Sequence, residues 1–413
     1  MTSIVPRTYS VIHAYNVMKA RRVDSESTSV LVMDGGPMNN ENVIIVGAGV
    51  AGLSLAIMLA GQNIKSQVLE SRQRFDGPTS GVRISAEGVR ILRLMKVASI
   101  GEDTKRVDMR LGGLSASFSA RERDPSAIMV TRLALHEQLM KRARALGIPV
   151  LTGFKVASVT ETVTGIEVTS ESNEKANGTL LVGADGVGST LRHILNPGQS
   201  STKTYAGYLG VGFITEDETK IEMTLHSYPG HQFGIASCGK VNEAATKNSI
   251  FIWTHIRMPE GDAKLATQAS VEAELAKRAE RWRPELRSKY DLYTEDADAM
   301  LAFGPVYNGK LPGRWYSNRM ILIGDAAHPY GPGGQGISMA LKDAKALCDV
   351  IARGFTEDDK KEFQRSRAQE ARTLGEAAEK RNSKESSSTK WGILAEGVVM
   401  KAVEIFTRGT MRF

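Results

Sequence analysis

The sequence predicts an α/β protein: a Rossmann-like dinucleotide-binding domain, interrupted by an inserted antiparallel sheet and followed by C-terminal helices. Three observations carry this expectation. VIIVGAGVAGLSLAIMLAG, Val43 to Gly61, passes from a β-branched run through G-x-G-x-x-G into a helix-like stretch. Tyr205 to Phe303 breaks into short alternating segments, GYLGVGFIT, KIEMTLHSY and NSIFIWTHIR, with the character of an antiparallel sheet. A buried-strand pattern then returns at Arg319 to Gly324, RMILIG, and from Thr356 onward the chain reads as helix apart from the polar break Asn382 to Thr389.

Composition sets the outer limits. At 413 residues the chain is long enough for two or three lobes of about 150 residues. Its 41% hydrophobic and 24% charged residues are those of a soluble globular protein. The uncharged stretch from Val43 to Gly61 approaches the roughly 20 apolar residues of a membrane span, but a strand, a tight turn and a helix account for it. No other uninterrupted apolar run is long enough, so no transmembrane segment is expected. The net charge of +7 is diffuse, with much of the excess in Lys360 to Lys390. Without an aromatic-interleaved basic stripe, a zinc pattern or a helix-turn-helix, it does not point to nucleic acid; an anionic cofactor and ordinary surface charge both fit. Cys238 and Cys348 are too few for a disulfide framework and lack metal-ligand spacing. A reducing compartment, hence a cytoplasmic location, and no metal site are expected.

In order along the chain, residues 1–40 read as an N-terminal extension. Met1 to Arg22 is basic, rich in Ser and Thr, and free of acids before Asp24, which fits a mitochondrial presequence. A disordered extension upstream of Met38 fits as well. Asp34-Gly35-Gly36-Pro37 is a linker. Residues 41–204 form the first part of the nucleotide-binding domain. There SQVLE (Ser66 to Glu70) is a second parallel strand ending on an acid, Gly81 to Ser85 leads into a helix over Ala86 to Met95, and LALHEQLMKRARAL (Leu133 to Leu146) has helical spacing. Val156 to Ser170 alternates around Thr164-Gly165 as a hairpin, and Thr179 to Ala184 is an apolar strand stopping at Asp185-Gly186. Residues 205–303 are the inserted substrate domain, closed by an amphipathic helix over Val271 to Trp282. Residues 304–355 complete the nucleotide-binding domain, and 356–413 are C-terminal helices.

The chemistry resides in the turns. Gly47 permits a tight bend, Gly49 lets backbone approach a pyrophosphate, and Gly52 lets the helix pack on the strand. The phosphates then meet free N–H groups at a positive helix end. Glu70, eighteen residues beyond Gly52, stands where a carboxylate accepts hydrogen bonds from an adenosine ribose. In GDAAHPYGPGGQG, Gly324 to Gly336, strand-end Asp325 can accept from a polyol. Pro332, Gly333 and Gly334 bring bare backbone against a flat ring, where the next helix's dipole favours negative charge. His328 admits a general-base reading and a structural one.

GAGVAG with Glu70, GADGVGSTLR (Gly183 to Arg192) and GDAAHPYGPGGQG, in that order, resemble the three fingerprints of the class A FAD-dependent monooxygenases, the group with the para-hydroxybenzoate hydroxylase fold. The resemblance runs from Val43 to about Ala352. It implies that Arg132, in VTRLALHEQL, contacts the flavin and Asp325 holds the ribityl chain. It further implies that Asp185 and Arg192 serve a shared FAD and NAD(P)H region, that Arg83 and Ser338 lie along the flavin, and that Gly334 and Gly336 belong to the cofactor site. Ser338 stands where many relatives have asparagine, and Lys342 where an acid is frequent. After Tyr205-Ala206-Gly207-Tyr208 there is no arginine, although several fungal relatives use one there.

The resemblance implies a monooxygenase in which FAD, reduced by NAD(P)H, reacts with O2 to give a C4a-hydroperoxide. One oxygen then passes to an aromatic or alkene-containing small molecule, by hydroxylation or epoxidation, in secondary metabolism. Since the cofactor carries the hard chemistry, a catalytic base need not appear as a motif; the candidates in the inserted sheet are His226, Tyr228, His231 and His255. The rival in the same fold is an oxidase or reductase that inserts no oxygen, prenyl-lipid reductases included. A flavin halogenase lacks support, because no W-x-W-x-I-P segment is present. A non-catalytic nucleotide-binding protein or an NAD-only dehydrogenase would not need the Asp325 turn.

Overall fold

A computed structural model describes residues 42–75, 80–97, 99–111, 114–120, 126–199, 203–228, 231–240, 245–282, 284–296, 299–329, 334–384, 390–407 and 410–411. The N-terminal extension lies outside the described residues, as do Pro332 and Gly333, expected to face a ring, and the side chains of Tyr228 and His231.

The apolar strands pair as five parallel strands in the spatial order Met320–Leu322, Leu180–Gly183, Asn42–Val46, Lys65–Glu70, Val150–Thr152. Val43, Ile44 and Ile45 are fully buried, as strands covered on both faces must be. Helices Val50–Gly61 and Gly336–Arg353 pack against each other beside this sheet. The missing charges of Val43 to Gly61 therefore belong to a protein core, and no helix among the described residues is long and apolar enough to cross a membrane. Val156–Glu161 and Ile166–Ser170 pair as the expected hairpin, joined by Lys175–Gly178.

The alternating segments form most of an eight-stranded sheet, ordered Met300–Gly309, Lys203–Asp217, Asn248–Arg257, His231–Ser237, Met223–Tyr228, Arg106–Leu111, Leu114–Ala120, Thr410–Met411. The hairpin of Arg106–Leu111 and Leu114–Ala120, drawn from the segment 41–204, completes this sheet, because Met223–Tyr228 pairs in parallel with Arg106–Leu111. Helix Lys390–Thr407 packs on that hairpin. On one face of the sheet, Ile250, Ile252 and Ile256 pack with Val271, Leu275 and Trp282 from the helical segments that follow. The other face supplies Ile214, Ala236, Cys238 and Phe251, which pack with Met129 of strand Ala127–Thr131. That strand sits between Gly81–Ile84 and Glu102–Thr104 in a small antiparallel sheet. Both cysteines are buried and unbridged, and burial pushes the Cys238 thiol up to about 12, so it remains a packing group.

Candidate functional site

The three glycines of the first turn differ in what surrounds them. Gly47 has φ +107°, and a Cβ there would lie 2.3 Å from the Ala184 carbonyl oxygen; a Cβ on Gly52 would lie 2.0 Å from that of Gly47. These two fix the bend and the packing of helix on strand. Gly49 has nothing within 4 Å of a Cβ. It flanks a helix without a side-chain cap or an acid in its first turn, so positive N–H groups face open space. Glu70 is held against this turn: its Oε2 accepts from Ala48 N (2.8 Å), and its Oε1 from Arg72 N (2.9 Å) and Ser71 Oγ (3.1 Å).

His136, which no motif singles out, completes the turn. Its Nε2 donates to the Ala48 carbonyl at 2.9 Å and its ring leans on Phe75. Burial lowers its pKa against the pull of the Ala48 carbonyl and Glu70, which keeps the imidazole neutral. Its signal was a lone histidine at the head of a helix, too common to stand out.

The Asp325 turn meets the first one directly. Gly324 has φ +60°, and a Cβ there would lie 3.0 Å from Ala51 Cβ. The Asp325 side chain is exposed at the turn's open side, yet the surrounding protein raises its pKa while His328, Arg132 and Arg192 oppose the rise. A Cβ on Gly336 would lie 3.7 Å from Asp325 Oδ1. Gly336 opens a helix that also lacks a side-chain cap and a first-turn acid. Two uncapped positive helix ends thus converge beside one carboxylate. Ser338 Oγ accepts from Ser85 N at 2.9 Å, tying this helix to the strand that carries Arg83.

Behind the turn lies a buried charge chain. Asp343, fully buried, accepts from Gly324 N (2.8 Å), His328 Nε2 (2.7 Å) and Arg367 Nε (2.6 Å). Burial pushes the Asp343 carboxyl up, but His328 and Arg367 outweigh it and hold its pKa low. For His328, burial lowers the pKa, and Asp343 and Asp325 more than restore it, leaving it raised. Arg367 continues to Glu370, which Lys342 bridges to Glu87. Lys342 therefore has two carboxylate partners where an acid was the commoner residue. His328, with no exposure, braces the turn rather than meeting a substrate.

The middle motif is folded onto itself. Asp185 accepts from Ser189 Oγ and Leu191 N, and burial raises its pKa against those bonds. Arg192 turns its guanidinium onto the carbonyls of Asp325, Ala326 and Val187. Arg192 thereby ties the second motif to the third. Arg132, at the start of helix Arg132–Ala145, is exposed and near enough to Asp325 and His136 to act on both.

The eight-stranded sheet turns an aromatic face to this region. Phe251 and Trp253 are stacked at 5.3 Å. A Cβ on Gly212 would lie 2.6 Å from the Phe251 ring, and one on Gly234 2.1 Å from the Trp253 ring, so both rings lie flat on a glycine floor. Glycines inside strands were the available signal for this close approach. His255, alternating with them on the same face, leans on Tyr208 at 4.3 Å. His226 is on the opposite, helix-covered face, stacked on Phe233, which in turn meets Trp282. The candidates His226 and His255 are therefore not brought together.

A family model described as an FAD binding domain matches residues 40–382. The chain belongs to the class A FAD-dependent monooxygenases. This monooxygenase is 30% identical over 342 residues to the FAD-dependent monooxygenase ausM of Penicillium brasilianum, covering 75% of this chain and 69% of that one. It is 24% identical to the aurachin C monooxygenase/isomerase of Stigmatella aurantiaca, covering 75% and 80%. Among solved structures, Klebsiella pneumoniae HpxO complexed with FAD and uric acid matches with a TM-score of 0.74 at 22% identity, covering 89% of this chain and 95% of that one. The residues present fit the cofactor: the open space at Gly49 and the uncapped helix ends suit phosphates, and the exposed Asp325 carboxylate suits a polyol.

Proposed function

We propose that this monooxygenase uses NAD(P)H and O2 to insert one oxygen atom into an aromatic or alkene-containing small molecule of secondary metabolism. The observation that carries this reading is the junction at Ser85 and Ser338, where the uncapped Gly336 helix end meets the strand packed on Phe251. In this assignment Gly47, Gly49 and Gly52 cradle the pyrophosphate, Glu70 holds the adenosine ribose, and Asp325 binds the ribityl chain. Arg132 neutralises phosphate or flavin charge, while Gly334, Gly336 and Ser338 line the ring beside Arg83. Asp185 and Arg192 act by holding the turns in place. FAD supplies the redox chemistry, taking electrons from NAD(P)H and activating O2.

The protein's own contribution is orientation and exclusion of water. The half-buried Trp253 ring, stacked on the buried Phe251, offers an apolar floor for a planar substrate. His255, beside Tyr208 at the edge of that floor, is the candidate base on the correct face.

The test is NAD(P)H oxidation by the FAD-loaded protein against phenols, indoles and prenylated rings. Substrate-dependent NAD(P)H consumption with an oxygenated product supports the reading. Consumption with a product that has gained no oxygen favours the oxidase or reductase alternative.

A further inference from the structure

We infer that His136 is a positioning residue for the phosphates of FAD: its imidazole holds the Ala48–Gly49 peptide so that the Gly49 N–H is presented to the pyrophosphate. This rests on the placement of the pyrophosphate at the first turn in the proposed function, and deepens it with a residue that acts through the backbone.

Two side chains grip Ala48 from its two ends. Its N–H donates to Glu70 Oε2 at 2.8 Å, and its carbonyl accepts from His136 Nε2 at 2.9 Å. A carbonyl can only accept, so the imidazole proton sits on Nε2. A trans peptide is planar, with its C=O and N–H pointing in opposite directions. A carbonyl turned toward His136 therefore aims the Gly49 N–H away from that ring. Ala48 is buried, but Gly49 is exposed, and a Cβ on it would meet no atom within 4 Å. Neighbouring groups of the turn are used within the protein: the Gly47 N–H donates to the Leu69 carbonyl at 2.7 Å, and the Gly49 carbonyl accepts from Leu53 N at 3.0 Å.

Glycine leaves this orientation ambiguous unless something selects it. Turning the Ala48–Gly49 peptide over changes only ψ of Ala48 and φ of Gly49, and carries the latter from −75° to the positive side that glycine enters freely. The flipped peptide would set a carbonyl oxygen, in place of an N–H, against the phosphate. It would also lose the bond to His136, so that bond selects the productive form before the cofactor arrives. His136 is itself held in place. It lies in helix Arg132–Ala145, capped by the Thr131 hydroxyl on Ala134 N at 3.1 Å and packed on Val50–Gly61, and its ring rests 4.2 Å from that of Phe75.

The test measures the affinity of the apoprotein for FAD and riboflavin by flavin fluorescence and for ADP by calorimetry. ADP carries the pyrophosphate without the ring, and riboflavin the ring without the phosphates. His136→Leu should weaken FAD and ADP alike by roughly 10-fold or more, the value of one charge-assisted hydrogen bond, and leave riboflavin within about two-fold. His136→Gln, which keeps an N–H on a side chain of similar reach, should recover most of the ADP affinity. Wild-type ADP affinity in His136→Leu, where Gly49→Ala has lost it, overturns the inference. So does a loss shared equally with riboflavin, or a folded His136→Gln variant as weak as His136→Leu. Wild-type ADP affinity in Gly49→Ala overturns instead the placement of the pyrophosphate at this turn. Should His136→Leu not fold, nitrogen-15 NMR of histidine-labelled wild-type protein decides. The His136 ring should carry its proton on Nε2 with and without ADP, and a ring protonated on Nδ1 alone overturns the inference.

Discussion

Replacing each glycine of the first turn by alanine separates folding from cofactor binding. Gly49→Ala places a methyl group where no atom lies within 4 Å, at a φ of −75° that alanine adopts freely. The apoprotein should keep its stability or gain up to about 1 kcal/mol from a less flexible unfolded chain. If phosphate lies against that backbone, the methyl group displaces it. Losing one charge-assisted hydrogen bond costs about 1.5–3 kcal/mol, or roughly 10- to 150-fold in FAD affinity. Gly52→Ala should do the reverse: its Cβ would collide with the Gly47 carbonyl at 2.0 Å. Overpacking of that kind costs at least about 1–3 kcal/mol. Urea denaturation of the apoproteins and fluorescence titration with FAD read the two effects. Wild-type FAD affinity in Gly49→Ala would refute the placement of the phosphates at this turn.

Further variants probe the other parts. Asp325→Asn should weaken FAD binding by about ten-fold or more in the same titration. It should not destabilise the apoprotein at neutral pH, because a carboxyl whose pKa is raised by its surroundings opposes folding when ionised. Asp343→Asn should cost about 3–5 kcal/mol in apoprotein denaturation, since His328 and Arg367 lose their buried counter-charge. The pair also sets a pH dependence. The raised His328 pKa contributes stability below about 6.5 that is lost as pH rises through the folded value. The lowered Asp343 pKa contributes stability above about 3.9 that is lost as pH falls through its folded value. Both slopes should flatten in Asp343→Asn. His226→Phe, on the helix-covered face, should leave kcat within about three-fold of wild type, a change under 1 kcal/mol.

The parallel sheet and its turns were legible because their constraints are local. Val43 to Gly61 holds a strand, a bend and a helix within nineteen residues, and Gly47 and Gly52 each have a steric reason to be where they are. The Arg106–Leu111 and Leu114–Ala120 hairpin was not legible as part of the second sheet. Its partner Met223–Tyr228 lies more than 100 residues away, and no local period encodes that pairing. The same holds for the link from Asp343 to Arg367 and for His136 on Ala48, each a single polar residue inside a helical pattern. Individual histidines could not be ranked from sequence, because a one-residue change of register decides which sheet face each occupies. The pairing of His226 with Phe233 and of Trp253 with Gly234 settles which side chains share a face.

The proposed oxygen insertion lies between the Asp325 turn and the Trp253 ring. Its most direct test is a turnover under isotopically heavy dioxygen, with NAD(P)H as the reductant and the product weighed by mass spectrometry. One heavy oxygen atom should appear in the product and the other in water. A product formed at the expense of O2 but carrying no heavy atom would contradict it.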